Sequence, residues 1–211
     1  MTDFNAITEA LVACDEAKLE SLVRDALDQN VPANDILNKG LIAGMDIVGE
    51  KMESGDMFIP EVLMAAHAMA NCVVILKPLL AEGEGSAGAS VIIGTVKGDL
   101  HDIGKNLVAM MMESAGMQVT NMGVDIPPED FVSRIKETNA KIVCLSALLT
   151  TTMGAMKDVV AELDKQGLKG QIKVMIGGAP VTQTYCDEIG ADGYSDNASA
   201  AVNKARELVA S

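Results

Sequence analysis

The 211-residue chain reads as an α/β protein, with a bundle of about four helices in front of a five-stranded parallel sheet. Three observations predict this. Before residue 80 apolar residues recur at helical spacing, whereas after residue 90 short β-branched runs alternate with helix-length segments. Between the two patterns lies Ala81-Glu82-Gly83-Glu84-Gly85-Ser86-Ala87-Gly88-Ala89, rich in Gly, Ala and Ser without apolar periodicity. The boundary is placed there, giving a helical domain over 1–88 and a strand-helix domain over 89–211. A 49% hydrophobic content is enough for both to have real cores.

Ile7 to Val12 and Leu19 to Leu27 supply the first two helices. Leu37, Leu41, Met45, Val48 and Met52 keep one apolar stripe on the face of a third. Val62, Ala65, Met69, Cys72, Leu76 and Leu80 do the same on a fourth, whose start Pro60 marks. Val31-Pro32 and Ser54-Gly55-Asp56 are the connections. Fourteen methionines against 2% aromatic residues predict a core filled by flexible side chains.

Strand-like runs follow near 91–96, 118–122, 141–146, 172–177 and 192–195. Parallel strands joined by helices bring their C-terminal loops to one sheet edge, where open α/β sheets bind ligands. Three such loops carry chemistry. Asp99-Leu100-His101-Asp102-Ile103-Gly104 precedes a helix-like Lys105 to Ala115 and puts a carboxylate two residues before an imidazole. A metal-bound histidine usually donates its other N–H to a carboxylate, and Asp99 is the candidate for that partner. The plain alternative is a loop histidine hydrogen-bonded to Asp99. For Gly104, close backbone approach to a ligand and a tight turn predict the same residue. Ser146-Ala147-Leu148-Leu149-Thr150 and Gly177-Gly178-Ala179-Pro180 occupy the other two loops, small enough to leave a slot lined by hydroxyls. Gly123-Val124-Asp125-Ile126-Pro127-Pro128 follows the second strand as ligand lining or as a Gly/Pro turn.

A formal charge of −14 makes binding to nucleic acid or to an anionic membrane unfavourable. Cys14, Cys72, Cys144 and Cys186 are scattered without a C-x-x-C pair, and Cys72 and Cys144 are expected to pack as small hydrophobes. With no long uninterrupted apolar stretch and no basic start in Met1 to Asn5, a cytoplasmic location is expected.

D-x-H-x-x-G, S-x-L and G-G occur in that order, with Ser146 placed 45 residues after His101. In these motifs, and over nearly its whole length, the chain resembles the corrinoid proteins of methylamine, methanol and methoxyaromatic methyltransferase systems and the cobalamin-binding module of methionine synthase. The resemblance implies a Rossmann-like, flavodoxin-like sheet domain that holds cobalamin or a related corrinoid. His101 would ligate cobalt from below in place of the dimethylbenzimidazole, with Asp99 as its partner, while the displaced tail threads into the core. It further implies a loop of Gly98, Asp99, Leu100, His101, Asp102, Ile103 and Gly104 under the macrocycle. Ser146 and Thr150 would contact the tail, Leu148 would also touch the cofactor, Gly177 and Gly178 would give the tail room, and Asn197 and Ala198 would close the pocket. The helical domain would cap the upper corrin face, with Met64, His67, Ala68 and Met69 on the facing helix and residues 81–90 as a hinge.

The implied function is methyl carriage. A substrate:corrinoid methyltransferase would deliver a methyl group to Co(I), and a second methyltransferase would take it from methyl-Co(III) to a thiol or folate-type acceptor. A reductive activator of Co(II) is a further implied partner. On this reading the chain is the carrier subunit of a cobalamin-dependent methyltransferase system, not a complete enzyme alone. Two alternatives are a cobalamin-dependent sensor, which should carry a DNA-binding module, and an adenosylcobalamin mutase subunit, for which the helices in front are a poor match.

Overall fold

The apolar spacing before residue 80 folds as expected into stacked helices. In the computed structural model, which describes residues 4–79 and 89–210, these are α1 (Phe4–Val12), α2 (Glu16–Asp28), α3 (Ala33–Asp35), α4 (Ala43–Ser54) and α5 (Ile59–Leu76). α3 and α4 are joined without a break by a π-helical segment, Ile36–Ile42, so four rods result. The sequence pattern predicts an uninterrupted α-helix there. The wider turns are compatible with the same stripe, because Leu37, Leu41, Met45 and Val48 are all buried. Gly40 and Gly44 accept α1 at close range, since a Cβ at Gly44 would lie 2.7 Å from a methyl of Leu11. Val62, Ala65, Met69, Cys72 and Leu76 form the buried stripe of α5. Leu80 and most of the linker stretch 81–89, with the boundary and hinge expected in it, lie outside the described residues.

α5 has the length and mean hydropathy of a membrane span, against the expectation that no apolar stretch is long enough for one. Seven of its side chains are buried, whereas Ile59, Leu63, Met64 and Val74 of the same helix are exposed.

The second half alternates strand and helix: β1 (Ser90–Thr95), α6 (Ile103–Ser114), β2 (Gln118–Asn121), α7 (Pro128–Thr138), β3 (Ile142–Ser146), α8 (Gly154–Lys165), β4 (Lys173–Gly177), α9 (Gln183–Ile189), β5 (Gly193–Tyr194) and α10 (Ala198–Ala210). The strands are all parallel, in the order β2-β1-β3-β4-β5. This is the flavodoxin-like order, which reverses direction between β1 and β3 and so opens a crevice at their C-terminal ends. The ladder runs Thr95 beside Ser146 beside Gly177, aligning the last residues of three strands. β-branched Val91, Ile92, Ile93, Ile142, Val143 and Val174 fill the sheet and are buried, as strands covered on both faces require. Gly94 leaves room for the fully buried Phe131, whose ring would lie 2.8 Å from a Cβ there. Pro128 opens α7, where its missing N–H is not needed.

The described residues separate into two compact units: the helices up to 79 and the sheet with its helices from 89 on, except that Ser114–Gly116 group with the first.

Candidate cofactor site

The loop between β1 and α6 carries the imidazole at the switch point. Asp99 is fully buried, yet both its oxygens are taken. One accepts the His101 backbone N–H at 3.0 Å and lies 2.8 Å from His101 Nδ1. The other accepts the backbone N–H groups of Leu148 at 2.8 Å and Leu149 at 3.3 Å, and the Thr152 hydroxyl at 2.7 Å. Burial opposes ionisation of this carboxyl. The bonds from Thr152, His101 and Leu148 outweigh it and hold the group well below the usual carboxylate range.

An ionised Asp99 beside Nδ1 assigns the ring proton to that nitrogen and leaves the lone pair on Nε2. The His101 side chain is 52% exposed, so its free nitrogen is reachable while the other is anchored in the interior. The buried Thr95 hydroxyl donates to the His101 carbonyl at 2.9 Å, fixing the backbone of the same residue.

Three features fit a large flat ligand that brings its own metal. Among the described residues no group of three or more His, Cys, Asp and Glu side chains could hold an ion. One imidazole suffices only when the other coordination positions are filled by the ligand itself, as in a macrocycle. Around His101, Leu100 and Ile103 are 71% and 83% exposed, and Leu148 and Leu149 are also exposed, which is an apolar surface of the kind a ring system covers. Gly104 lies in the first turn of α6, and a Cβ there would meet nothing within 4 Å. The space a Cβ would take there is open, which is compatible with a ligand coming close.

The small residues expected beyond β3 and β4 let the loops at the strand ends approach one another closely. Gly178 has φ +134°, and a Cβ there would collide with the Ala147 carbonyl, so only glycine lets these two loops pass. Ser146 is half-buried at the strand end, whereas Thr150 is exposed. Asn197 Oδ1 accepts the Ala200 N–H at 2.8 Å and caps α10, while Ala198 is buried in that helix's first turn. Gly98 adopts φ +83° and stands 3.7 Å, measured from its would-be Cβ, from the Thr152 methyl. Asp102 accepts from the Asn106 side chain at 3.0 Å.

Sequence reasoning missed Thr95, Lys105 and Thr152. Thr152 is the third hydroxyl of a Thr150-Thr151-Thr152 run, and the turn after Leu148 brings the third back over Asp99, not the first. Lys105 is buried and donates to Asn106 Oδ1 and Asn121 Oδ1, both at 2.6 Å. Desolvation lowers its pKa, opposed by the charge of Asp102. Cys72 and Cys144 are buried as expected, and burial pushes their thiols up to about 11 and about 12.

A family model for a B12 binding domain matches residues 89–203, and a second model of that description matches residues 4–77. The "Dimethylamine corrinoid protein 1" of Methanosarcina acetivorans is 48% identical over 95% of this chain and 94% of its own length. Among solved structures, a cobalamin-binding protein from Desulfitobacterium hafniense superposes with a TM-score of 0.85 at 34% identity, covering 99% of each chain. The methanol:cobalamin methyltransferase complex MtaBC from Methanosarcina barkeri gives a TM-score of 0.84 at 27% identity, covering 98% of this chain and 79% of that one.

Proposed function

This chain belongs to the corrinoid proteins built on a B12 binding domain, and from that premise we propose that it carries methyl groups on a cobalamin held by His101. The observation that carries the proposal is the Asp99–His101 pair, with Nδ1 held at 2.8 Å and Nε2 left to a ligand. A bound corrin supplies the organometallic methyl exchange, which no side chain can perform.

The residues of the chain do the rest. Asp99 keeps the Nδ1 proton in place, so His101 presents one tautomer and a more basic nitrogen. Thr152 and the Leu148 and Leu149 amides hold that carboxylate ionised and still. Leu100, Ile103 and Leu148 offer the apolar floor beside the imidazole, with Gly98, Asp102 and Gly104 shaping the loop. Ser146 and Thr150 line the path of the displaced nucleotide tail, Gly177 stands at the end of β4 beside it, Gly178 lets the β4 loop pass against Ala147, and Asn197 with Ala198 bounds its far side.

The methyl donor is a small methylated amine, supported by the 48% identity to a dimethylamine corrinoid protein. A substrate:corrinoid methyltransferase loads the carrier, and a second methyltransferase unloads it onto a thiol or folate-type acceptor. A reductive activator would supply the one electron that brings protein oxidised to Co(II) back to Co(I). The chain is then the carrier subunit of a cytoplasmic methyltransferase system.

The test is reconstitution of the 15N-histidine-labelled protein with hydroxocobalamin, reduced to Co(II). A histidine nitrogen coupling in the electron paramagnetic resonance spectrum is expected, and its loss in His101→Ala. A benzimidazole coupling in wild type, or a protein that does not retain the cofactor, overturns the reading. Methyl transfer from dimethylamine, monomethylamine and methanol, each with its methyltransferase, then ranks the donors; methanol as the best donor would overturn the amine assignment.

A further inference from the structure

We propose that Asp125, in the loop between β2 and α7, is a positioning residue that clamps the backbone under His101. The proposal rests on His101 as the cobalt ligand. Asp125 stands at φ +56°, in the left-handed region that aspartate tolerates better than most residues. From that posture it makes two reciprocal bonds to adjacent residues of the β1–α6 loop. Its Oδ1 accepts the Gly98 N–H at 2.7 Å, and its own N–H donates to the Asp99 carbonyl at 3.0 Å. The peptide between Gly98 and Asp99 is therefore held on both sides, immediately before the side chain that holds the imidazole.

The same loop reaches His101 by two more routes. Val96 and Ile126 form an isolated parallel bridge, and Ile126 N–H donates to the Thr95 carbonyl at 3.0 Å. Thr95 in turn bonds the His101 carbonyl. On the other side Asn121 Oδ1 accepts from Gly123 N–H at 3.1 Å and from the buried Lys105, which also bonds Asn106, the partner of Asp102. The β2–α7 loop thus braces the residues before and after the imidazole.

Asp99 cannot supply this restraint itself. Its carboxylate is committed to the β3 loop, to the ring and to the His101 N–H, and its own N–H to the Val96 carbonyl, so the Gly98 N–H and the Asp99 carbonyl are left to Asp125. Asp125 is exposed, and its removal leaves the buried network without a cavity. A loop released from the clamp spends part of its time with Nε2 misaimed, and apparent affinity for cobalt falls by that fraction.

Asp125→Gly keeps the left-handed backbone and its N–H and removes only the carboxylate, whereas Asp125→Asn keeps an acceptor. With hydroxocobalamin bound and reduced to Co(II), the pH at which the histidine nitrogen leaves cobalt is followed by its 15N coupling. Asp125→Gly is expected to weaken capture about tenfold and raise that midpoint by about one pH unit, with Asp125→Asn within about twofold of wild type. In the cofactor-free protein, the Gly98 amide should exchange with solvent about tenfold faster in Asp125→Gly while β1 and β3 amides are unchanged. Equal midpoints and equal Gly98 exchange in wild type and Asp125→Gly overturn the clamp, as does an Asp125→Asn that loses as much as Asp125→Gly. A wild type lacking histidine coupling overturns the ligand reading instead, and the exchange measurement then decides the clamp alone.

Discussion

Between residues 4 and 79 every described buried side chain is apolar, whereas from residue 89 on Thr95, Asp99, Lys105, Ser114, Thr152 and Ser199 are buried as well. The helical half needs only matched volumes and a repeating stripe. The sheet half keeps a carboxylate and an ammonium out of water at one edge, which costs several kcal/mol per ion unless each is fully bonded. Four of these six, Thr95, Asp99, Lys105 and Thr152, lie in or beside the loops around His101. Ionic burial therefore marks where the chain departs from mere packing, and it coincides with the crevice between β1 and β3.

The contrast is sharpest at two glycines. Gly178→Ala forces a Cβ onto the Ala147 carbonyl at a φ of +134° and is expected to cost more than about 3 kcal/mol in urea unfolding. Gly44→Ala meets chiefly a Leu11 methyl and gains roughly 1 kcal/mol of helix propensity, so its net cost should stay below about 2 kcal/mol. Equal losses in the two variants would erase the distinction between the halves. Leu19→Ala, at a fully buried position of α2, should cost about 2–5 kcal/mol, independent of pH.

Asp99→Asn places an amide NH2 against donors and should cost about 1–3 kcal/mol at pH 7. Its pH dependence carries the sign of a carboxyl depressed in the folded state: the stability from Asp99 is complete above its unfolded pKa of about 4. It is lost as pH falls through the lower folded value. The gap between wild type and Asp99→Asn should therefore narrow below about pH 4, while the Leu19→Ala gap does not; urea midpoints at pH 7 and pH 3 decide this. The smallest effect is expected for Thr152→Val, about 1–2 kcal/mol, with the Asp99 carboxyl titrating higher by 13C resonance.

The helical half was legible almost throughout, because one stripe both predicts and packs each rod. Its π segment was not, since the four-four-three spacing of Leu37, Leu41, Met45 and Val48 suits either helix. In the sheet half the parallel strands and their loops at one edge followed from the alternation of strand and helix, the flavodoxin-like order was implied only by the family resemblance, and the Asp99–His101 pair followed from a two-residue spacing. Bonds that cross between loops were not legible. Thr152 and Asp125 reach their partners over 53 and 27 residues, and nothing local in a threonine run or a Gly-Pro turn announces a partner so distant. Thr95 was hidden in a β-branched run, where threonine reads as strand filler.

Five donors surround the Asp99 carboxylate, and that saturation has a mechanical sequel. An anion so tethered cannot trail after a swinging imidazole, so any excursion of the ring begins and ends at the same fixed post. Successive visiting enzymes would then meet cargo standing on an immobile floor, and the handover from one to the next requires no rebuilding beneath it.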